Sequence, residues 1–454
     1  MRVISYPQTR YVRQRRATLR KMFGLGAVLC FLAACGLLAV LLTVPLIPPR
    51  YVARFVPEPF QAYFRSAPVE LPTPATTPHA VVVLLTPIPV PSSPTPPPVG
   101  QPKLTVQPIT TPVPPTSTPV SHATLTLTPV AFPNATIAAR ATPAAIGSAT
   151  RLLTGFRHTF QTWNNCGPAT MAMALSYYGW TGTQAQAAAF LKPDPEDRNV
   201  SPDEMAAFAR SQGFQVLVRA NGTLDLLRAL IGAGFAPIVE KGFEPEDKLG
   251  WMGHYEVIAG WSDATREFIA MDSYLGPNLS VPFDEMDRYW RQFNRTYMVV
   301  YKPEQADALA KIIGPDMDGP TMYRNALART QVELAENPND AFGWFNLGTN
   351  YVALGMFDES AKAYDQARRL GLPWRMTWYQ FGWFEAYLAV DRTDDVIALA
   401  DATLKSNPYS EEMYFYKGLA LEKRGDANAA REQFEMALKH NPNFDRARQK
   451  VSGP

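Results

Sequence analysis

The chain has 454 residues, of which 46% are hydrophobic and 19% are charged, and its formal net charge at pH 7 is +2. A charge this close to neutral gives no electrostatic reason to expect a nucleic-acid partner. Two of the three cysteines, Cys30 and Cys35, lie in an apolar segment near the N-terminus. Cys166 is therefore the single thiol in the part of the sequence expected to fold, with no cysteine partner there for a disulfide or a metal ion.

The first 44 residues have the pattern of a membrane anchor. Residues 1–21 contain seven arginines or lysines and no acidic residue, and the 23 residues of 22–44 contain no charge. Such a run is long enough to cross the ~30 Å core of a bilayer. Basic residues before a span favour a cytoplasmic N-terminus. We therefore expect a single-pass signal anchor, with all later residues extracytoplasmic at the surface of a bacterial cell.

Two other interpretations of this segment remain open. A cleaved signal peptide requires a shorter apolar region and a cleavage site of small residues. The sequence Leu32-Ala33-Ala34-Cys35 resembles a bacterial lipobox, which would make Cys35 a lipidated N-terminus. The apolar run continues beyond Cys35, where a mature lipoprotein usually turns polar, so we prefer the signal anchor.

Residues 45–149 are dominated by proline and threonine. More than half of the 42 prolines lie here, and Glu70 and Lys103 are the only charged residues between Ser66 and Ala139. Proline removes backbone donors, and Pro-x-Pro repeats favour extended polyproline II conformation over helices and ladders. We predict a disordered stalk.

The folded part begins with a helix near Cys166. Asn165 is a residue type that caps helices, Pro168 suits a first turn, and Gly179 ends the apolar run. A cysteine at a helix N-terminus lies where the dipole and the unpaired amides favour a thiolate. Gln161, five residues earlier, has a side-chain amide suited to an oxyanion hole. The alternative is a buried structural cysteine.

The following segments predict helices first and an antiparallel sheet afterwards, which is an α+β layout. The predicted helices are 183–191, 202–212 and 224–231, and the predicted strands are 214–218, 236–240, 253–261, 267–272 and 297–301.

His254 is the candidate general base among the five histidines. His79 and His122 lie in the stalk, His158 in the lead-in segment and His440 in repeat sequence. Alternation along the 253–261 strand places His254 on the face opposite its apolar residues, where an imidazole can take the proton of a thiol.

Two carboxylates are candidates to orient the ring of His254. Asp272 ends the neighbouring strand, and Glu256 lies two residues along the same strand face. Structural roles remain open for both residues. The alternatives are that His254 is a core or surface histidine and that Asp272 is a turn residue.

Together these motifs resemble the C39-like group of papain-fold cysteine peptidases, over residues 150–302. The resemblance is carried by Gln-x4-Cys-Gly-Pro-Ala-Thr, Gly-His-Tyr at the head of a strand and Asp-Ser-Tyr after the next strand. It implies a papain-like fold with Cys166, His254 and Asp272 as a catalytic triad and Gln161 in the oxyanion hole. Glu256 stands where this family is expected to have an apolar residue.

The sequence lacks the motifs of other site chemistries. It has no His-x-x-x-His, no paired cysteines in the folded part and no Asp-rich loop, so we expect no metal. It also has no Gly-x4-Gly-Lys-Ser/Thr loop, so the ATP-driven export module of some relatives is absent from this sequence. We expect no cofactor.

The C-terminal part consists of repeats. Residues 303–340 are a predicted linker with a capping helix at 322–335, and residues 341–454 show a period of about 34 residues. The pattern resembles tetratricopeptide repeats, with two clear copies and a degenerate middle copy. Three stacked helix pairs would offer a concave face to a protein partner. An aromatic stripe in the middle copy is mostly expected in the core: Trp374, Trp378, Phe381, Trp383 and Phe384.

The sequence therefore predicts a membrane-anchored, extracytoplasmic cysteine peptidase acting on a peptide or protein substrate, with a repeat module for a protein partner. Two other functions remain open. One is a catalytically inactive papain-like scaffold, and the other is a thiol acyltransferase or amidotransferase, because the acyl-enzyme step is shared.

Overall fold

The computed structural model describes residues 70–75, 150–245 and 250–452. The basic N-terminus 1–21, the predicted span 22–44, and the predicted stalk 45–149 except for residues 70–75 lie outside the described residues. Among the described helices, none combines the length and apolar character that crossing a membrane requires.

The first domain has three helices ahead of most of its sheet, as the α+β prediction requires. After β1 (Thr150–Leu152), its elements are α1 (Cys166–Tyr177), α2 (Gln184–Leu191), α3 (Pro202–Ser211), β2 (Gln215–Arg219), α4 (Leu224–Gly232), β3 (Pro237–Phe243), β4 (Met252–Ser262), β5 (Glu267–Asp272), β6 (Gly276–Pro282), α5 (Phe283–Trp290) and β7 (Tyr297–Tyr301).

These strands form one sheet in the described part of the chain, in the order β2-β7-β3-β4-β5-β6, and β1 pairs with β4. Every pairing is antiparallel. Helix α1 packs against β4, and all its residues from Gly167 to Ser176 are buried. The helix that begins at Cys166 is thus the central helix of the domain and is held in place along nearly its whole length.

The second half of the described chain is helical. A short helix α6 (Ala306–Ile313) and a long helix α7 (Gly319–Glu336) lead into three helix pairs and a final helix. The pairs are α8 (Ala341–Ala353) with α9 (Phe357–Leu370), α10 (Gly382–Ala389) with α11 (Thr393–Ser406), and α12 (Glu411–Lys423) with α13 (Ala427–His440); α14 (Asp445–Ser452) follows.

Glycine at one position of the repeat explains how the helices of a pair approach closely. A Cβ atom on Gly348 would lie 2.8 Å from the ring of Tyr364, and one on Gly418 would lie 2.5 Å from the ring of Phe434. Both distances are shorter than van der Waals contact, so each glycine makes room for the aromatic ring of the second helix. The middle pair lacks this arrangement and instead buries Trp383 completely, as its degenerate sequence suggested.

The rest of the aromatic stripe is divided between the repeat core and its borders. Trp378 and Phe384 are buried, whereas Trp374 and Phe381 are half-buried. Trp378 does not pack only within the repeats, because the guanidinium of Arg198 from the first domain lies 4.8 Å from its ring centroid. The middle repeat therefore contacts the first domain through part of this stripe.

Candidate active site

The backbone before α1 makes a tight turn that presents Cys166 as the first residue of the helix. Asn164 has a φ of +53°, a left-handed conformation that asparagine tolerates better than most residues. Asn165 occupies the N-cap position, as predicted, but its side chain makes no capping hydrogen bond. Its amide instead donates to the Thr162 hydroxyl at 2.8 Å.

Lys192 explains why Asn165 is drawn away from the helix. Its ammonium donates to the Asn164 carbonyl oxygen at 2.9 Å and to Asn165 Oδ1 at 3.3 Å. Burial lowers the pKa of Lys192, and the negative charges of Asp197 and of the Cys166 side chain oppose that shift. A buried cation therefore lies within electrostatic reach of the Cys166 sulfur, a feature that no sequence motif indicated.

His254 and Asp272 form a buried pair between neighbouring strands. His254 Nε2 lies 2.9 Å from Asp272 Oδ2, with 2% and 0% of the two side chains exposed. The Cys166 side chain interacts with the same imidazole and contributes to raising its pKa. Because Nε2 is engaged by Asp272, Nδ1 is the ring nitrogen that is left for the thiol. The structure thus brings together Cys166, His254 and Asp272.

The carboxylate of Asp272 is fixed on both sides. Its Oδ1 accepts hydrogen bonds from the backbone N–H groups of Tyr274 at 2.5 Å and Leu275 at 2.6 Å. The carbonyl oxygen of Asp272 contacts His158 Nε2 at 2.7 Å. His158 therefore supports the position of Asp272, a role that its place in the lead-in segment did not reveal.

Electrostatics favour an ion pair between His254 and Asp272. Burial alone would lower the pKa of His254, but the Asp272 carboxylate and hydrogen bonds to Asp272 and Cys166 raise it to about 10. Burial opposes ionisation of Asp272 as well, yet the charge and hydrogen bond of His254 hold its pKa well below the ordinary value. The imidazole is therefore protonated at neutral pH while Asp272 is ionised.

Glu256, the competing carboxylate, has another partner. It is the cross-strand neighbour of Asp272, and its Oε1 lies 2.7 Å from the ammonium of Lys241 on β3, with both side chains buried. Burial raises the pKa of Glu256 to about 7, against the attraction of Lys241. Glu256 therefore belongs to a second buried pair, next to the negative charge of Asp272, which raises its pKa further.

The three groups His254, Glu256 and Asp272 offer ligand atoms within 4.8 Å of one another, a spacing that suits a metal ion. The cluster already contains the positive charges of Lys241 and of the protonated imidazole, which balance the two carboxylates. This donor set fits a hydrogen-bonded charge network better than a cation site.

Gln161 lies beside the residue that follows Asp272. Its backbone N–H donates to the Ser273 carbonyl oxygen at 2.8 Å, and its Oε1 accepts from the Ser273 hydroxyl at 2.8 Å. These two contacts fix the orientation of the amide and leave its Nε2 group as the side-chain donor. Ser273, which is fully buried, is thus a supporting residue that the sequence analysis missed.

The walls of the site are aromatic and come from both halves of the described chain. Phe243 stacks on His254 with 4.6 Å between ring centroids, and Tyr274 packs edge-on against Phe243 at 5.5 Å. A cleft of about 460 Å³ opens beside them, lined among others by Leu275 and Tyr289.

Tyr379 of the helical half also reaches the site. It hydrogen-bonds to the backbone of Gly253, and its pKa is raised by burial and by the charge of Cys166. A Cβ atom on Gly253 would lie 2.9 Å from Phe293 and 3.0 Å from the Tyr379 ring. The residue before His254 must therefore be glycine for the repeat region to pack here.

Comparisons with known proteins agree with this division of the chain. Residues 153–298 match the Peptidase_C39 like family. No curated protein matches the sequence.

Three solved structures illustrate the similarity. A double glycine motif protease from an AMS/PCAT transporter in complex with the leader peptide is 18% identical, with 34% of this chain and 97% of that chain covered and a TM-score of 0.26. The peptidase domain of Streptococcus ComA is 15% identical, with 33% and 99% covered and a TM-score of 0.27. YrrB, a TPR protein with an unusual peptide-binding site, is 15% identical, with 32% and 87% covered and a TM-score of 0.17.

The segment that brings together Cys166, His254 and Asp272 is thus the segment that matches the Peptidase_C39 like family, and paired helices of tetratricopeptide type follow it.

Proposed function

We propose that the chain is a cysteine peptidase in which Cys166 is the nucleophile, His254 the proton carrier and Asp272 the orienting acid. The observation that carries this proposal is the buried His254–Asp272 pair, whose imidazole interacts with the only thiol of the described residues. Two oppositely charged groups with almost no exposure are costly to bury unless each is fully paired. The match of residues 153–298 to a peptidase family supports the same function.

The first half of the reaction would form an acyl-enzyme. In the resting site His254 already holds the proton as an imidazolium, and the Cys166 thiolate beside it attacks the carbonyl carbon of a peptide bond. As the carbon–sulfur bond forms, the carbonyl oxygen becomes an oxyanion, held by the backbone N–H of Cys166 and by Gln161 Nε2. The imidazolium then donates its proton to the leaving amine as the carbon–nitrogen bond breaks.

The second half would release the acid. Neutral His254 takes a proton from water, the hydroxide attacks the thioester, and the carbon–sulfur bond breaks to regenerate the thiolate. Asp272 keeps Nε2 engaged throughout, so that Nδ1 always faces the sulfur. An amine in place of water would make the same chain a transferase.

The surroundings of the site favour an extended peptide with apolar groups. The exposed large hydrophobic residues near Gln161 and Asp272 include Phe160, Tyr274 and Leu275, of which Leu275 is 52% exposed. Exposed apolar side chains beside a cleft are typical of ligand contacts. We further propose that the domain acts outside the cell, carried by the predicted anchor 22–44 and stalk, and that the helical repeats bind a protein partner or the substrate.

The decisive experiment is labelling of the full chain with an electrophilic peptide probe, in a background with Cys30 and Cys35 replaced by alanine. The probe should label the parent and not Cys166→Ala, and a fluorogenic peptide library should be hydrolysed by the parent alone. Labelling of Cys166 without turnover of any peptide would favour the inactive scaffold. Product formation only when an amine acceptor is added would favour the transferase.

A further inference from the structure

The described fragment of the predicted stalk, residues 70–75, lies against the helical repeats rather than apart from them. Arg368 Nε donates to the carbonyl oxygen of Pro72 at 3.2 Å, and Nη2 of the same guanidinium donates to that oxygen as well. The backbone N–H of Ala75 donates to Asp395 Oδ1 at 3.1 Å. Leu71 packs against the apolar core of the repeats.

The two contacting side chains belong to a rigid network. Arg368 and Asp395 are 2.8 Å apart, with 1% and 2% of their side chains exposed. Tyr387 accepts a hydrogen bond from Arg368 at 3.1 Å and donates one to Asp365 at 2.8 Å. Arg392 binds both carboxylates of the network, Asp365 at 2.7 Å and Asp395 at 2.8 Å. Donor and acceptor are therefore held in place before any segment binds.

This network binds the backbone of an extended chain through hydrogen bonds. Its residues come from the C-terminal part of α9, from α10 and from the N-terminal end of α11, so it lies between the second helices of two adjacent repeats. The guanidinium of Arg368 donates to the carbonyl oxygen of Pro72. The carboxylate of Asp395 accepts from the backbone N–H of Ala75, three residues later. Pro72 and Pro74 have no N–H, so the segment presents few unpaired donors to the protein surface.

We propose that the surface between α9 and α11 is a binding site for an extended proline-containing segment, and that its occupant is residues 70–75 of this same chain. The sequence explains why this part of a long Pro/Thr-rich region binds. Leu71 supplies the apolar contact, and the pair Leu-Pro occurs only once between residues 45 and 149. The docked segment fixes this part of the stalk to the repeats.

The test is cleavage of the full chain by a glutamyl endopeptidase, followed by mass spectrometry. Glu70 is the one suitable acidic residue between 45 and 149, because Glu58 precedes a proline and no aspartate occurs there. A docked segment cannot enter a protease site, so cleavage after Glu70 reports the undocked fraction. Wild type should be cleaved slowly, at a rate that does not change when the protein is diluted.

Two substitutions at one position separate docking from general effects. Ala75→Pro removes the N–H that Asp395 accepts, whereas Ala75→Ser keeps it. A hydrogen bond to a charged group is strong enough that its loss should speed cleavage after Glu70 at least about tenfold, while Ala75→Ser should stay within about twofold of wild type. Arg368→Lys tests the other contact, because one ammonium cannot reproduce the fork that holds the Pro72 carbonyl, and it should also speed cleavage.

Three results would overturn the proposal. Equal cleavage rates for wild type and Ala75→Pro would show that the segment is not held by Asp395. If Arg368→Lys and Ala75→Pro are each cleaved at the wild-type rate, neither contact holds the segment and the proposed site does not exist. Protection that disappears on dilution would show that the occupant comes from a second copy of the chain. Unchanged thermal unfolding of Ala75→Pro is the control for folding, since residue 75 is exposed and outside the repeats.

Discussion

Replacing Asp272 by asparagine should disable Cys166 by changing which nitrogen of His254 carries the proton. The new side chain keeps an oxygen that accepts from the N–H groups of Tyr274 and Leu275, so the local turn persists. It loses the negative charge, and its amide donates toward Nε2. The neutral ring then carries its proton on Nδ1, facing Cys166, and cannot take the proton of the thiol.

The size of the effect follows from the pKa of His254. A rise in the pKa of His254 from 6.5 to about 10 means that protonation of the imidazole stabilises the folded state by about 4 kcal/mol at pH 7 and by about 1 kcal/mol at pH 9. The sign is that of a raised pKa: the stabilisation is complete below pH 6.5 and disappears as pH rises through 10. Asp272→Asn should therefore lower the free energy of unfolding more at pH 7 than at pH 9.

The assay is alkylation of Cys166 by iodoacetamide, followed on the peptide that contains it. At pH 6 the wild-type rate should exceed that of Asp272→Asn at least about tenfold, because the positive charge of the wild-type imidazolium favours the reactive thiolate. The difference should shrink toward pH 10. Urea unfolding at pH 7 and pH 9 measures the free energy of unfolding of the same proteins.

Glu256→Gln is the matched control, since Glu256 faces Asp272 across the strand pair and is equally buried. It removes the partner of Lys241 and should cost stability, but the alkylation rate should remain within about twofold of wild type. If Glu256→Gln slows alkylation and Asp272→Asn does not, the orienting carboxylate is Glu256 and our reasoning is wrong.

Three further predictions concern pH, packing and topology. Burial raises the pKa of Asp197 to about 7 and that of Glu240 to about 8, so both carboxyls stay protonated to a higher pH in the folded state than in the unfolded state. The free energy of unfolding, measured in urea, should therefore be lower at pH 9 than at pH 5 by more than about 2 kcal/mol. Greater stability at pH 9 would contradict this. Gly253→Ala should lower the melting temperature by about 2–10 °C through overpacking, while Gly319→Ala, where a Cβ atom meets open space, should change it little; equal shifts would mean that the Tyr379 contact is not formed. Protease added to intact cells should release the folded domains, and domains that stay protected until lysis would argue against the proposed anchor.

Local signals in the sequence predicted most of the elements that position the site. Strand β7 has the predicted bounds 297–301. The sequence Ser201-x-x-Glu204 is the signature of a capping box, and the box is formed, with the Ser201 N–H donating to Glu204 at 2.7 Å. Such features depend on residues only a few positions apart, so one sequence suffices to find them.

The elements that were missed lack a local signal. Strand β6 is rich in residues that disfavour strands and is largely exposed along its middle, and α5 begins after Pro282 without a side-chain cap. Asn165 had the right residue type for a cap, but Lys192 draws its side chain away. Tertiary contacts of this kind override propensity and cannot be read from the neighbouring sequence.

The roles of the two carboxylates required the register of the sheet. Glu256 and His254 share a strand face, as the alternation predicted, but Lys241 lies opposite His254 on β3 and its ammonium reaches Glu256. Register between strands is set by the packing of the whole sheet. Tyr379, far along the chain from Cys166, was for the same reason invisible from the sequence.

The packing of Tyr379 on Gly253 places the helical repeats in direct contact with the thiol site. The Trp251 indole packs against Phe293 and Tyr379, and Arg375 donates to its backbone carbonyl oxygen at 3.0 Å. A ligand of the repeats that prefers one arrangement of this aromatic cluster changes the affinity of the thiol site for substrate by some factor. Substrate must then change the affinity of the repeats for that ligand by the same factor. Comparing the affinity of the repeats for a partner before and after acylation of Cys166 would therefore measure this coupling.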